Sequence, residues 1–339
     1  MFYFNNGINI YRKHDIETTQ ALLKNILDGD RIALSKGITL VESKNKDHEA
    51  FADLLMKGCL DKSGSAIHLG ITGTPGVGKS TFVENLGLRF IENGHRVAVL
   101  TIDPSSPENQ GSILGDKSRM DQLSHHDSAY VRSSPSRTTL GGATDRTRET
   151  IVLCEAAGYD VIIVETVGVG QSETEISSLV DIVALLVLPG SGDEIQGIKR
   201  GIVEIADLVI INKEDKFDKS VVKESVNAYK FATHLRPQTT SSLPVSVLSS
   251  SALTGSGMNE ILEKINHLIE ESKQKGIFQS IRNRQQMAWL KQRVEEKALQ
   301  LIQTKLQSSD IFQIAQNDVI EKRSTVNNAA SEIINKMMS

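Results

Sequence analysis

Residues 67–81 read IHLGITGTPGVGKST, and this stretch decides how the rest of the chain is read. A short apolar run ends in Gly73 and a glycine-rich turn follows to Gly78. Lys79-Ser80-Thr81 then opens the segment TFVENLGLRFIEN, whose apolar residues recur at helical spacing. Gly73–Ser80 matches GxxxxGK[ST] between a strand and a helix, which is the context the motif requires. Gly73, Gly76 and Gly78 let the backbone curl until its N–H groups point inward, and the helix N-terminus adds a dipole that favours anions. Pro75, Val77 and Thr81 complete the loop. In such a loop Lys79 bridges β- and γ-phosphates and Ser80 ligates Mg²⁺, so the expected ligand is a nucleoside triphosphate.

Outward from this loop, short continuous apolar runs recur between helical or glycine-containing segments: VAVLTI, AYVR, VIIVET, IVALLVL, LVIIN and VSVL. Runs apolar on both faces are expected of buried parallel strands, and their alternation with helices implies βαβ crossovers. The expected fold is α/β, a P-loop NTPase with a mostly parallel, doubly wound sheet flanked by helices and extended by helices at both ends. Upstream, Leu22, Leu23, Ile26, Leu34, Ile38, Val41, Phe51, Leu54 and Leu55 fall at three- and four-residue steps, an amphipathic helical preface. Downstream, Met287, Leu290, Val294, Ala298 and Leu301 stripe a long polar-backed helix, and SEIINKMM closes the chain. These shifts divide the chain into residues 1–62, a nucleotide-binding domain over 63–272, and a C-terminal helical extension over 273–339. The stripe is read equally well as packed on its own domain or as an oligomer interface.

Composition narrows the class. A net charge of −4 gives no broad electrostatic footprint for nucleic acid or an acidic membrane. Cys59 and Cys154 stand alone, without metal-ligand spacing or a disulfide framework. The N-terminus lacks the character of a signal or transit peptide, and no apolar run is long enough to span a bilayer, so the expected address is the cytoplasm.

Mg²⁺ bound through phosphates takes one or two protein ligands, and those should come from strand ends near the loop. Asp103 closes the strand VAVLTI, Asp116 lies in SILGDKSRM, and Glu165 closes VIIVET. In ETVGVGQSE, residues 165–173, a carboxylate is followed by Gly168, whose N–H can donate to the γ-phosphate. Glu stands where the usual DxxG has Asp.

The strand LVIIN runs into Asn212-Lys213-Glu214-Asp215, an NKxD. Guanine presents N1–H and an exocyclic amine as a fork, and the Asp215 carboxylate can accept both. Adenine offers no such fork, so the site should prefer GTP and GDP. Lys213 can lie over the base, Asn212 can tie two loops together, and Ser251-Ala252 can offer a backbone N–H to the guanine carbonyl.

DPSS, GSILGDKSRM, SPSRTTLGG, ETVGVGQSE, LPGSGDEIQGIKRGIVEIAD and NKED together closely resemble the MeaB/ArgK/MMAA family of GTPases, chaperones of adenosylcobalamin-dependent methylmalonyl-CoA mutase and related acyl-CoA mutases. The resemblance covers most of the chain, including GDRIALSKGITLVES and IRNRQQMAWL. It implies GTP hydrolysis that gates cofactor delivery to the mutase and protects or reactivates that enzyme, and a homodimer held by the C-terminal extension. It also implies that Lys79, Asp103 and Glu165 act in catalysis, with Ser80, Asp103, Asp116 and Glu165 around the metal and the attacking water. The family's own use of Glu accounts for the ExxG. Gly190–Gly201, GSGDEIQGIKRG, matches an additional switch in which Asp193, Gln196 and Lys199 contact the partner.

Two segments depart from the family pattern: NQGS at 109–112 in place of TGGS, and RSSPSRTTLGG from Arg132 in place of RPSPSRGTLGG. Two alternatives remain. ArgK-type members carry the label of kinases linked to basic amino-acid transport, which would need a second substrate pocket. A nickel-insertion GTPase would need Cys and His ligands, for which only His125-His126 presents itself.

Overall fold

The computed structural model describes residues 16–43, 45–103, 120–135, 142–166, 173–190, 204–234, 243–308 and 310–338. The chain divides into two compact units, Met1–Asn283 and Arg284–Ser339.

In the first unit, α1 (Ile16–Leu27), α2 (Arg31–Val41) and α3 (Lys46–Cys59) lead into β1 (Ile67–Gly73) and α4 (Lys79–Glu92). β2 (Val97–Asp103), the short α5 (Asp121–His125), β3 (Ala129–Pro135), α6 (Gly142–Ala156), β4 (Val161–Thr166), α7 (Glu173–Ser177) and β5 (Ile182–Val187) follow. β6 (Leu208–Ile211), α8 (Lys219–His234), β7 (Ser246–Ser249) and α9 (Met258–Gln274) complete the alternation, and α10 (Ile277–Ser308) begins in this unit. Each apolar run read as a strand is a strand. They pair in parallel in the order β3-β2-β4-β1-β5-β6-β7.

Alternate residues of the central strands feed two cores, which explains why the runs are apolar throughout. Leu69, Ile71, Val97, Val99, Val161 and Ile163 face Phe82, Leu86 and Phe90 of α4 and Ile261 and Ile265 of α9. Ala98, Leu100, Ile162 and Val164 face the other way, against Leu153 and Cys154 of α6 and Ile26, Leu34, Ile38 and Leu55 of the N-terminal helices. Burial at such positions stabilises by about 2 kcal/mol per large aliphatic side chain, and truncating the fully buried Phe82 to Ala would cost about 3–5 kcal/mol. The N-terminal helices start where their caps place them. Asp30 accepts the Ala33 N–H at 2.7 Å ahead of α2, and Asn45 accepts the Asp47 N–H at 3.0 Å ahead of α3.

A buried charge cluster ties together the strand starts, remote from the loop after β1. Glu155 at the end of α6 accepts the Gly64 N–H at 2.6 Å and lies 2.9 Å from His68 Nε2. Arg282 donates from Nε and Nη2 to the two Asp181 oxygens at 2.9 and 2.7 Å, and its ring-facing side stacks 4.3 Å from the Phe278 centroid. Burial alone would raise the Glu155 pKa, but the His68 hydrogen bond and charge, the Gly64 N–H and Arg282 together hold it below the usual range.

The second unit contains the rest of α10 with α11 (Ile311–Ile320) and α12 (Val326–Met338). Ala329, Ile333 and Met337 of α12 are buried, and Lys305 Nζ donates to the Met337 carbonyl at 2.5 Å. The stripe expected on the long helix is exposed in the single chain: Met287 by 61%, Leu290 by 57%, Val294 by 58% and Leu301 by 66%. Among the described residues no helix is long and apolar enough to cross a membrane.

Candidate nucleotide-binding site

The loop between β1 and α4 lies at the C-terminal edge of a central strand, the edge where parallel α/β sheets receive ligands. Gly73 closes β1 at φ +152°, and a Cβ there would lie 2.4 Å from the Leu186 carbonyl oxygen of β5. Only a residue without a side chain lets β1 turn at that point. Lys79 is 8% exposed, and its Nζ donates to the carbonyls of Gly73 at 2.8 Å and Thr74 at 3.2 Å, spanning its own loop. Burial pushes the Lys79 pKa down from its ordinary range, and the Glu165 charge works in the opposite direction.

Strand register brings Glu165 to this loop, since it pairs with Ile71 of β1 on one side and Thr101 of β2 on the other. The Ser80 hydroxyl donates to Glu165 Oε1 at 3.1 Å, so two oxygen donors stand together beside Lys79. A hydroxyl next to a carboxylate is the hard-oxygen set that suits Mg²⁺. Asp103 ends β2, its backbone paired with Pro135. Asp116 and Gly168 lie outside the described residues, as do Asp193, Gln196 and Lys199 of the anticipated partner switch. The NQGS segment lies there too, together with much of the second departing segment.

Asn212 joins the two halves of the site. Its Nδ2 donates to the Val77 carbonyl at 2.9 Å, and its Oδ1 accepts the Ala252 N–H at 3.1 Å. One buried side chain thereby couples the phosphate loop to the loop after β7. Lys213 takes a left-handed backbone, φ +62°, and reaches back to donate to the Gly76 carbonyl at 2.5 Å. Left-handed geometry is unfavourable for a lysine and is held here by its surroundings. The Glu214 N–H donates to Ser250 O at 3.0 Å, and Ser256 Oγ donates to the Glu214 carboxylate at 2.6 Å, which leaves Asp215 exposed beside them. Ser251 is fully buried, with its Oγ accepting the Thr254 N–H at 3.1 Å.

The family described as methylmalonyl Co-A mutase-associated GTPase MeaB matches residues 34–307. The chain belongs to this family. As a MeaB-family protein it is 43% identical to the GTPase ArgK of Escherichia coli over 277 residues, 82% of this chain and 84% of that one. It is 37% identical to a methylmalonic aciduria type A homolog, mitochondrial, of Caenorhabditis elegans over 336 residues, 95% of this chain and 83% of that one. A crystal structure of an LAO/AO transport system kinase superposes with a TM-score of 0.75 at 32% identity, covering 96% of this chain and all of that one. The MeaB family is one of P-loop GTPases, which agrees with the sheet and with the nucleotide class read from the loops.

The histidine pair has local partners in this MeaB-family chain. His125 Nδ1 lies 2.7 Å from the Asp121 carbonyl and His126 Nδ1 accepts the Ser128 N–H at 3.1 Å, so both close the turns around α5. Sequence reasoning missed Asn85 and Arg89 of α4, which reach the loop after β7. The signal available was a polar pair one helical turn apart on an otherwise core-facing helix, which is common on any surface helix.

Proposed function

We propose that this chain binds GTP with Mg²⁺, hydrolyses it to GDP and phosphate, and uses the nucleotide state to gate cofactor loading into an adenosylcobalamin-dependent acyl-CoA mutase and to protect or reactivate it. The observation that carries the nucleotide half is Asn212, which ties the Val77 carbonyl of the phosphate loop to the Ala252 N–H of the other loop. An ATPase has no need for an NKxD joined in this way to its phosphate loop.

In this reading Lys79 trades the Gly73 and Thr74 carbonyls for phosphate oxygens, which compensates its buried charge. Ser80 and Glu165, already 3.1 Å apart, would hold Mg²⁺, with Asp103 and Asp116 assigned to the same metal from the sequence. Held by these residues, Mg²⁺ would supply positive charge against that developing on the phosphates. Asp215 accepts the guanine fork, Lys213 covers the base, and Ser251-Ala252 meets its carbonyl. Gly168 senses the γ-phosphate, while Asp193, Gln196 and Lys199 carry the nucleotide state to the mutase.

The family's mutase association and the exposed stripe on α10 support the partner half and a homodimer built through the C-terminal helices. No nucleic-acid or membrane partner is proposed, and the proposed address is the cytoplasm. The kinase wording attached to the similar solved structure is the rival reading. One experiment separates the two: phosphate release from GTP and from ATP, each with and without a purified mutase. GTP-selective turnover that responds to the mutase is expected. Turnover of ATP alone would overturn the proposal.

A further inference from the structure

Asn85 and Arg89 of α4, neither of them read as a phosphate or base ligand, brace the loop after β7. Asn85 Nδ2 donates to the Ala252 carbonyl at 3.3 Å. Arg89 Nε donates to Asn85 Oδ1 at 2.9 Å, fixing that amide, while Nη1 donates to Asn259 Oδ1 at 2.6 Å and Nη2 to the Gly255 carbonyl at 3.4 Å. These three Arg89 bonds end on neutral oxygens of the loop after β7, its following helix and its own helix. A guanidinium fork used in this way fixes positions in a plane, as a flexible ammonium could not. Gly255 is matched to it. At φ +81° a Cβ would lie 2.8 Å from Arg89 Nη2, so the loop's left-handed turn and the guanidinium occupy adjoining space.

We infer that Arg89, acting through Asn85, is a positioning residue for guanine selectivity: it sets the Ser251-Ala252 backbone where the base carbonyl must meet it. Asn212 holds Ala252 by its N–H from one side, and Asn85 holds the same residue by its carbonyl from the other. The brace springs from the helix that begins at Lys79, so the segments that bind phosphate and base share one rigid support. The inference rests on the reading of this site as a guanine-nucleotide site.

The test compares wild type, Arg89→Ala, Arg89→Lys and Asn259→Ala by calorimetric titration with GDP, IDP, ADP and pyrophosphate. IDP keeps the base carbonyl and lacks the exocyclic amine, so the GDP-to-IDP ratio reports Asp215, while ADP carries an amine in place of the carbonyl. Loss of charge-assisted hydrogen bonds should weaken GDP about tenfold in Arg89→Ala, with IDP weakened equally and the preference over ADP reduced. Pyrophosphate affinity should stay at the wild-type value. Lys should not rescue, and Asn259→Ala should show a smaller effect in the same direction. Unchanged GDP affinity in Arg89→Ala, or equal weakening of GDP and pyrophosphate, would overturn the brace. A wild type that does not discriminate GDP from ADP would instead overturn the underlying guanine reading.

Discussion

Asn212 and Val77 are joined across two loops that lie far apart in sequence, the asparagine amide donating to the valine carbonyl at 2.9 Å. The same side chain accepts the Ala252 N–H, so its removal would leave a buried donor and a buried acceptor unmatched. Asn212→Ala should therefore weaken GDP binding by about 10- to 100-fold, readable by calorimetry. Wild-type affinity in this variant would show that the two loops hold their places without the bridge.

Lys79 has no comparable substitute in the loop. Lys79→Ala should abolish measurable GTP hydrolysis in a phosphate-release assay and remove most of the affinity for phosphates.

Its buried environment also gives a pH signature. The Lys79 pKa is lowered in the folded protein, so the ammonium that phosphates need is lost as pH rises through that lowered value rather than at the ordinary lysine value. Nucleotide affinity measured across alkaline pH should decline before exposed lysines titrate. A flat profile through that range would contradict the burial argument.

Asp215 is exposed and lies beside the Glu214–Ser256 contact that shapes its turn. Asp215→Asn should weaken GTP and gain xanthosine triphosphate, because one acceptor of the fork becomes a donor. Competition between the two nucleotides measures the exchange directly, and retained tight GTP binding would remove Asp215 from the base site.

Glu155 connects pH to stability through the strand-start cluster. Its folded pKa lies below 4.5, so its stabilisation is fully present above that pH and is lost as pH falls through the unfolded and then the folded value. Glu155→Gln should be less stable at neutral pH by about 1–3 kcal/mol and show a shallower loss on acidification, measured by urea unfolding. Parallel acid profiles for the two proteins would exclude Glu155 as a source of the pH dependence.

The apolar runs around Leu69, Val99, Ile163 and Ile210 announced buried parallel strands because both faces of each strand meet a core. Gly73–Ser80 announced a phosphate loop because its glycines and lysine serve one backbone geometry within eight consecutive residues. The helix α11 was not legible in the sequence, since its ten residues make fewer than three turns, too few for a period to stand out.

By itself the sequence pointed to the local chemistry: a loop for phosphates, a carboxylate proposed for guanine, and strands of the right period, all set by neighbours along the chain. Only the tertiary structure decided which of these meet. Strand insertion places β4 between β1 and β2, and that order brings Glu165 within 3.1 Å of Ser80. The same packing sets Asn85 and Arg89 of α4 against a loop more than 160 residues later. Contacts at such separation depend on which elements pack side by side, and this follows from burying two cores at once rather than from any local preference.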